Sequence, residues 1–143
     1  MSAPKLLAIA GTFYRDIADA LIDGAQEAAA AAGARLDIVE VPGALEIPGA
    51  IVQAELADAQ YDGYVALGCV IRGETTHYDY VCTESARGLM DLNLGGVICG
   101  NGILTVENRD QAIKRAVDKK KGADAANAAL ALIALRDKFG AEA

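Results

Sequence analysis

The sequence predicts a parallel α/β fold, with four short strands alternating with helices that cover both faces of the sheet. Three observations carry this expectation. Short apolar runs alternate with stretches whose apolar residues recur at helical spacing. Gly and Pro mark the points where one pattern gives way to the other. No linker, repeat or low-complexity tail divides the 143 residues, apart from Ala-rich helix, so 1–143 reads as one domain.

Each element follows from its residues. Residues 6–10 are a short apolar run ending at Gly11, which suits a buried strand. Ile17, Leu21, Ile22 and Ala25 share one helical face, and Gly33 supplies the usual helix stop. Residues 36–41 are rich in β-branched side chains and end at Pro42-Gly43, which predicts the second strand. Pro48 fits the first turn of a second helix, where its missing N–H costs nothing. Ile51, Val52 and Leu56 continue that helix's apolar face. Residues 64–71 predict the third strand. Thr76, with Asp79 three residues on, resembles a capping box and opens a helix running to about Asn93. Residues 96–99 predict a short fourth strand. Thr105 or Glu107 opens a helix bearing Ile113 and Ala116. Gly122 precedes a last, Ala-rich helix that ends near Phe139-Gly140.

Composition narrows the function. Thirteen Lys and Arg against twenty Asp and Glu give a formal charge of −7. That argues against a nucleic-acid partner, which needs a basic face, and against an anionic membrane surface. The first residues are no convincing signal peptide, and no stretch approaches the ~20 apolar residues of a membrane span. Cys69, Cys82 and Cys99 are far apart and odd in number, with no CxxC or Cys/His cluster. Neither a zinc site nor a disulfide framework is expected, and a reducing cytosol is the expected compartment. Thirty Ala, two Phe and no Trp predict helices with small apolar faces. A lone subunit would leave wide apolar strips exposed, so an oligomer is expected.

In open parallel sheets, ligands sit beyond the carboxyl ends of the strands. This directs attention to residues 11–15, 42–47, 69–77 and 100–105. Glu74 and Thr75 follow Gly73 and precede a helix start. Main-chain N–H groups there could hold a phosphate, or the segment is an ordinary capped turn. His77, the only His, stands at the same helix start. It either moves protons near neutral pH or is a surface residue. Glu46 lies between Pro42-Gly43 and Pro48, where it could accept hydrogen bonds from a polar ligand or simply favour a helix's first turn. Phe13 either stacks on a ligand or packs in the core. Arg115, one turn before Lys119, offers positive charge to an anion, the alternative being a solvated face. The first strand leads into Gly11-Thr12-Phe13-Tyr14. No GxGxxG, GxxxxGK[ST] or GxSxG segment is present, which disfavours dinucleotide, P-loop and serine-hydrolase sites.

Three segments together resemble the 6,7-dimethyl-8-ribityllumazine synthase family: VPGALEIPGAI (41–51), LGCVIRGETTHYDYVCTESARG (67–88) and GILTVENRDQA (102–112). The resemblance covers nearly the whole chain in order and spacing. It implies a flavodoxin-like three-layer sandwich and the penultimate step of riboflavin biosynthesis. The implied reaction joins 5-amino-6-(D-ribitylamino)uracil to 3,4-dihydroxy-2-butanone 4-phosphate, releasing phosphate and water, with no metal or other cofactor. It implies that Phe13 stacks on the pyrimidine, and that Ala44, Leu45 and Glu46 bind the ribityl chain. Cys69, Val70 and Ile71 would read the uracil edge. Glu74 and Thr75 would bind phosphate through their main chain, Arg115 would clamp it, and His77 would transfer protons. The resemblance also implies a homopentamer with sites between adjacent subunits, the neighbour supplying the Asn101 and Arg115 side. Family members often have Phe where Asn101 falls, and residues 118–122 are shorter than in shell-forming members, so a free pentamer or a pentamer pair is expected. Outside that class, the alternative is a module that binds a flavin or lumazine without turnover.

Overall fold

The computed structural model describes residues 3–142. Four parallel strands form one sheet in the order β2-β1-β3-β4. They are β1 (Lys5–Gly11), β2 (Arg35–Val41), β3 (Gly63–Ile71) and β4 (Cys99–Val106). The central pair, β1 and β3, is apolar on both faces, as a strand covered by helices on both sides must be. Leu6, Ile9, Val65 and Leu67 are fully buried. Register aligns Leu6 with Leu36 on one side and with Gly63 on the other, while Tyr64 aligns with Cys99.

Helices α1 (Arg15–Ala31), α2 (Ile47–Leu56), α3 (His77–Leu94), α4 (Arg109–Ile113) and α5 (Lys121–Glu142) complete the sandwich. The core lies in two layers. One joins Ile17, Leu21 and Ala25 of α1 and Ala125, Ala126 and Ala129 of α5 to the sheet. The other joins Ile47 and Ile51 of α2 and Leu89 of α3 to the opposite face. The α/β, flavodoxin-like expectation therefore holds, with helices on both faces of an all-parallel sheet.

Several boundaries differ from the sequence reading, each for a local reason. The fourth strand shares only Cys99 with the expected 96–99. Gly96, at φ +95°, belongs to the turn that ends α3. The Asn93 amide then pins the start of β4, donating to the Cys99 carbonyl and accepting its N–H. Residues 100–105, expected as a loop, are strand. Gly100 and Gly102 are there because α5 lies directly on them: a Cβ on Gly100 would stand 1.9 Å from the Ala125 carbonyl oxygen. Thr105 is consequently in β4, and the next helix opens at Asn108, whose side chain caps the Gln111 N–H at 2.9 Å. Thr76 forms no side-chain cap, and Asp79 faces Arg72 instead of completing a capping box. Gly122 lies inside α5, which continues past Phe139-Gly140 to Glu142. Gly33 does end α1, at φ +68°. On α2 the core takes Ile47 and Ile51, whereas Val52 and Leu56 are exposed. Met90 and Leu94 of α3 are exposed too, Leu94 at 80 %.

Candidate active site

The strand order reverses direction between β1 and β3, and an open cleft of about 400 Å³ lies at the carboxyl ends of the strands near this switch point. Three connections build it. The turn after β1 contributes Phe13 and Tyr14, their rings packed edge to face at 4.9 Å between centroids. Phe13 is 77 % exposed, so it is no core residue and stands at the cleft's edge. The β2–α2 connection contributes Pro42 through Glu46, the last three residues in a single 3-10 turn. It closes tightly on β1: a Cβ on Gly11 would meet the Gly43 carbonyl carbon at 2.9 Å. The third contribution runs from Cys69, Val70 and Ile71 at the end of β3, through Gly73 and Thr75, to His77, Tyr78 and Val81 on α3.

The cleft is apolar along its walls and polar at a few points. Ala44, Leu45, Val70, Ile71 and Val81 give flat, greasy contact, while Glu46, Thr75 and His77 supply hydrogen-bonding groups. Few, well-placed polar groups in an apolar cleft are the usual make-up of a small-molecule site. The Thr75 hydroxyl accepts from the His77 N–H at 3.3 Å, tying the imidazole's backbone to the preceding loop. Among the described residues, the N–H groups of Glu74 and Thr75 donate to no protein acceptor. They are free for an anion at the start of α3.

Of the residues singled out by sequence, Phe13, Ala44, Leu45, Glu46, Cys69, Val70, Ile71, Thr75 and His77 all line this one cleft. Glu74 sits between two lining residues without its side chain lining the cleft. Asn101 and Arg115 do not reach it within the chain. Asn101 is in the middle of edge strand β4, its side-chain oxygen accepting from the Ile103 N–H at 2.9 Å. Arg115 is half-buried in a wide π-turn (Lys114–Asp118), donating to the Gln111 carbonyl at 3.2 Å.

Comparisons with known proteins give the chain's family. The family model described as 6,7-dimethyl-8-ribityllumazine synthase matches residues 3–137. A 6,7-dimethyl-8-ribityllumazine synthase of Novosphingobium aromaticivorans is 53% identical, over 94% of this chain and 98% of its own. The 6,7-dimethyl-8-ribityllumazine synthase 1 of Rhizobium meliloti is 55% identical, over 96% of this chain and 94% of its own. One from Agrobacterium fabrum is 54% identical, over 98% and 99%. The chain belongs to the 6,7-dimethyl-8-ribityllumazine synthase family. It is thus a member of an enzyme family, and the cleft is where lumazine-synthase chemistry has to be sought.

Tyr14, Pro42, Gly43 and Gly73 line the cleft from within the connections that the sequence singled out, whereas Tyr78 and Val81 lie beyond them and were missed. A signal existed for Val81, which follows His77 by four and Tyr78 by three and so shares their helix face.

Burial, opposed by nearby Arg109 and aided by Asp16, pushes the Cys69 thiol up to about 11. Below that pH the thiol is neutral and a poor nucleophile. Alkylation of Cys69 by iodoacetamide at pH 7.5 is therefore expected to run roughly a few hundredfold slower than for a free thiol. Peptide mass spectrometry along a pH series measures this. Complete labelling within minutes at pH 7.5 would contradict it.

Proposed function

We propose that the chain condenses 5-amino-6-(D-ribitylamino)uracil with 3,4-dihydroxy-2-butanone 4-phosphate to 6,7-dimethyl-8-ribityllumazine, releasing phosphate and water, as the penultimate step of riboflavin biosynthesis. The observation that carries this reading is the convergence of Phe13, Ala44–Glu46, Cys69–Ile71, Thr75 and His77 on one cleft. Their chemistry fits the two substrates. Phe13 offers an exposed ring face to a pyrimidine. Glu46 accepts from ribityl hydroxyls, with the Ala44 and Leu45 backbone beside it. The backbone of residues 69–71, at the strand end, pairs with the uracil edge. The unengaged N–H groups of Glu74 and Thr75 receive the phosphate.

The reaction needs proton movement at each stage. The pyrimidine's amine adds to the ketone and expels one water, phosphate is eliminated, and the ribityl-bearing amine closes the ring on the remaining carbonyl with loss of a second water. His77, at the cleft and next to the phosphate loop, takes up and returns these protons. Helix-start N–H groups ease phosphate departure by stabilising its charge, while a guanidinium anchors the phosphate throughout the reaction. Holding both substrates together supplies much of the remaining rate. Arg115 acts from an adjacent subunit of a homopentamer, with the Asn101 strand on the same neighbouring side. This suits their position outside the chain's own cleft and the exposed apolar side chains of α2 and α3. The three free thiols suit a cytosolic enzyme.

The test mixes both substrates with pure protein and follows lumazine absorbance, fluorescence and released phosphate. Stoichiometric lumazine and phosphate are expected. A well-folded oligomer that retains a flavin but makes no lumazine would overturn the proposal in favour of a binding module. Within the reaction, His77→Ala is expected to lower kcat roughly 10- to 100-fold without abolishing turnover, because positioning survives the loss of the imidazole. An unchanged kcat would remove His77 from proton transfer.

A further inference from the structure

The loop 73–77 carries Thr75 and His77 into the cleft, yet little of its own packing holds it. A Cβ on Gly73 would meet nothing within 4 Å, Thr76 provides no side-chain cap, and residues 72 through 77 are all exposed. What brackets the loop is Arg72 at its start and Tyr78 at its end. The Arg72 guanidinium stacks on the Tyr78 ring, 4.3 Å from its centroid. Its Nε donates to Glu107 at the end of β4 at 2.6 Å, and Nη1 stands 3.7 Å from Asp79 on α3. Its backbone N–H donates to the Val106 carbonyl at 2.9 Å. One planar cation thus touches the sheet's edge, the first turn of α3 and a cleft-lining ring.

We propose that Arg72 is a positioning residue: its stack on Tyr78 and its pairs with Glu107 and Asp79 close the 73–77 loop into the shape that presents the Glu74 and Thr75 N–H groups and the His77 ring. The proposal rests on the reading of that loop as the phosphate-binding and proton-transfer segment. Each exposed contact is weak taken singly. Choosing between loop shapes needs little, however, because apparent affinity falls in proportion to the fraction of closed loop. A guanidinium is suited to the task, since it stacks flat and forks to two carboxylates where an ammonium does neither as well.

Two measurements test it on the intact oligomer. Amide hydrogen exchange compares the wild type with Arg72→Met and Glu107→Gln, and exchange across 73–77 is expected to quicken in both, without change in β1 or β3. Unchanged exchange would overturn the staple whatever the enzyme's reaction. Steady-state kinetics then compare the two substrates. Arg72→Met is expected to raise KM for the phosphate-bearing substrate about fivefold while leaving that for the pyrimidine within about twofold. Arg72→Lys should recover part of this loss, and Glu107→Gln should show a smaller rise of the same kind. Equal effects on both substrates, or none, would overturn the positioning role. If Arg72→Met fails to fold, Glu107→Gln carries both measurements. A wild type that makes no lumazine but shows the exchange difference would fail the proposed function and leave the staple standing.

Discussion

Gly122→Ala is expected to be among the most damaging single-methyl changes in the chain, lowering stability by about 3 kcal/mol. A Cβ at Gly122 would lie 2.0 Å from the Leu21 carbonyl oxygen, and the atoms it meets are backbone. No rotamer change relieves such a contact, so α1 and α5 must separate. The two helices approach closely because both faces are built of small residues: Ala18, Ala25 and Ala28 on one, Ala125, Ala126 and Ala129 on the other. Gly24 completes the fit, its own Cβ position 3.0 Å from the Ala123 nitrogen. Separating them opens voids along the whole seam, since alanines cannot reach further to fill the gap. Thermal unfolding at fixed protein concentration should show a midpoint lower by roughly 10 °C. Gly140→Ala is the control. It sits near the end of the same helix with nothing within 4 Å of a Cβ, and is expected to be neutral or slightly stabilising. Equal midpoints for Gly122→Ala and wild type would mean that the helices are not held at this distance.

The same seam explains what was legible in the sequence and what was not. Strand β3 was readable because burial on both faces leaves a continuous apolar run, Tyr64 to Leu67 being almost fully buried. Gly33 was readable because a left-handed residue after a helix is a local requirement. Strand β4 was misread because Gly100 and Gly102 look like turn signals. Their reason is the backbone of α5, distant in sequence, pressing on the sheet. The Asn93 amide that starts β4 also gives no local cue. For the cleft, position after a strand and before a helix was enough to pick the β2–α2 and β3–α3 connections. What sequence left open was choice among roles. Phe13 was as consistent with core packing as with stacking, and its exposure at the cleft's edge removes the first of these. The parallel-sheet argument also placed residues 100–105 at the ligand end. It failed there because the strand itself occupies them, leaving Asn101 mid-strand.

Arg115→Ala is expected to raise KM for the phosphate-bearing substrate by about a hundredfold, with kcat changed much less. Two charge-assisted hydrogen bonds from a fork-shaped cation to phosphate account for a loss of that order. On the proposed reading the effect falls on KM, because the phosphate would be held from the start of the reaction. Within its own chain Arg115 does not line the cleft, and among the described residues its guanidinium donates only to the Gln111 carbonyl. The π-turn that carries it packs against α1, with Ala116 buried in the core beside it, so Arg115 is fixed to a rigid part of the molecule. Single π-turns inside helices recur at functional sites. If Arg115 serves a neighbour's cleft, activity lost in separate variants should return on mixing. Subunits bearing His77→Ala still bring Arg115, and subunits bearing Arg115→Ala still bring His77. After joint unfolding and reassembly in equal amounts, about a quarter of the sites, one half times one half, receive both intact residues from two chains. Those sites should turn over at the wild-type KM for the phosphate substrate. No recovery in well-assembled mixtures would place both residues at a site within one chain, and the half-buried guanidinium of Arg115 would then have to leave its turn to reach it.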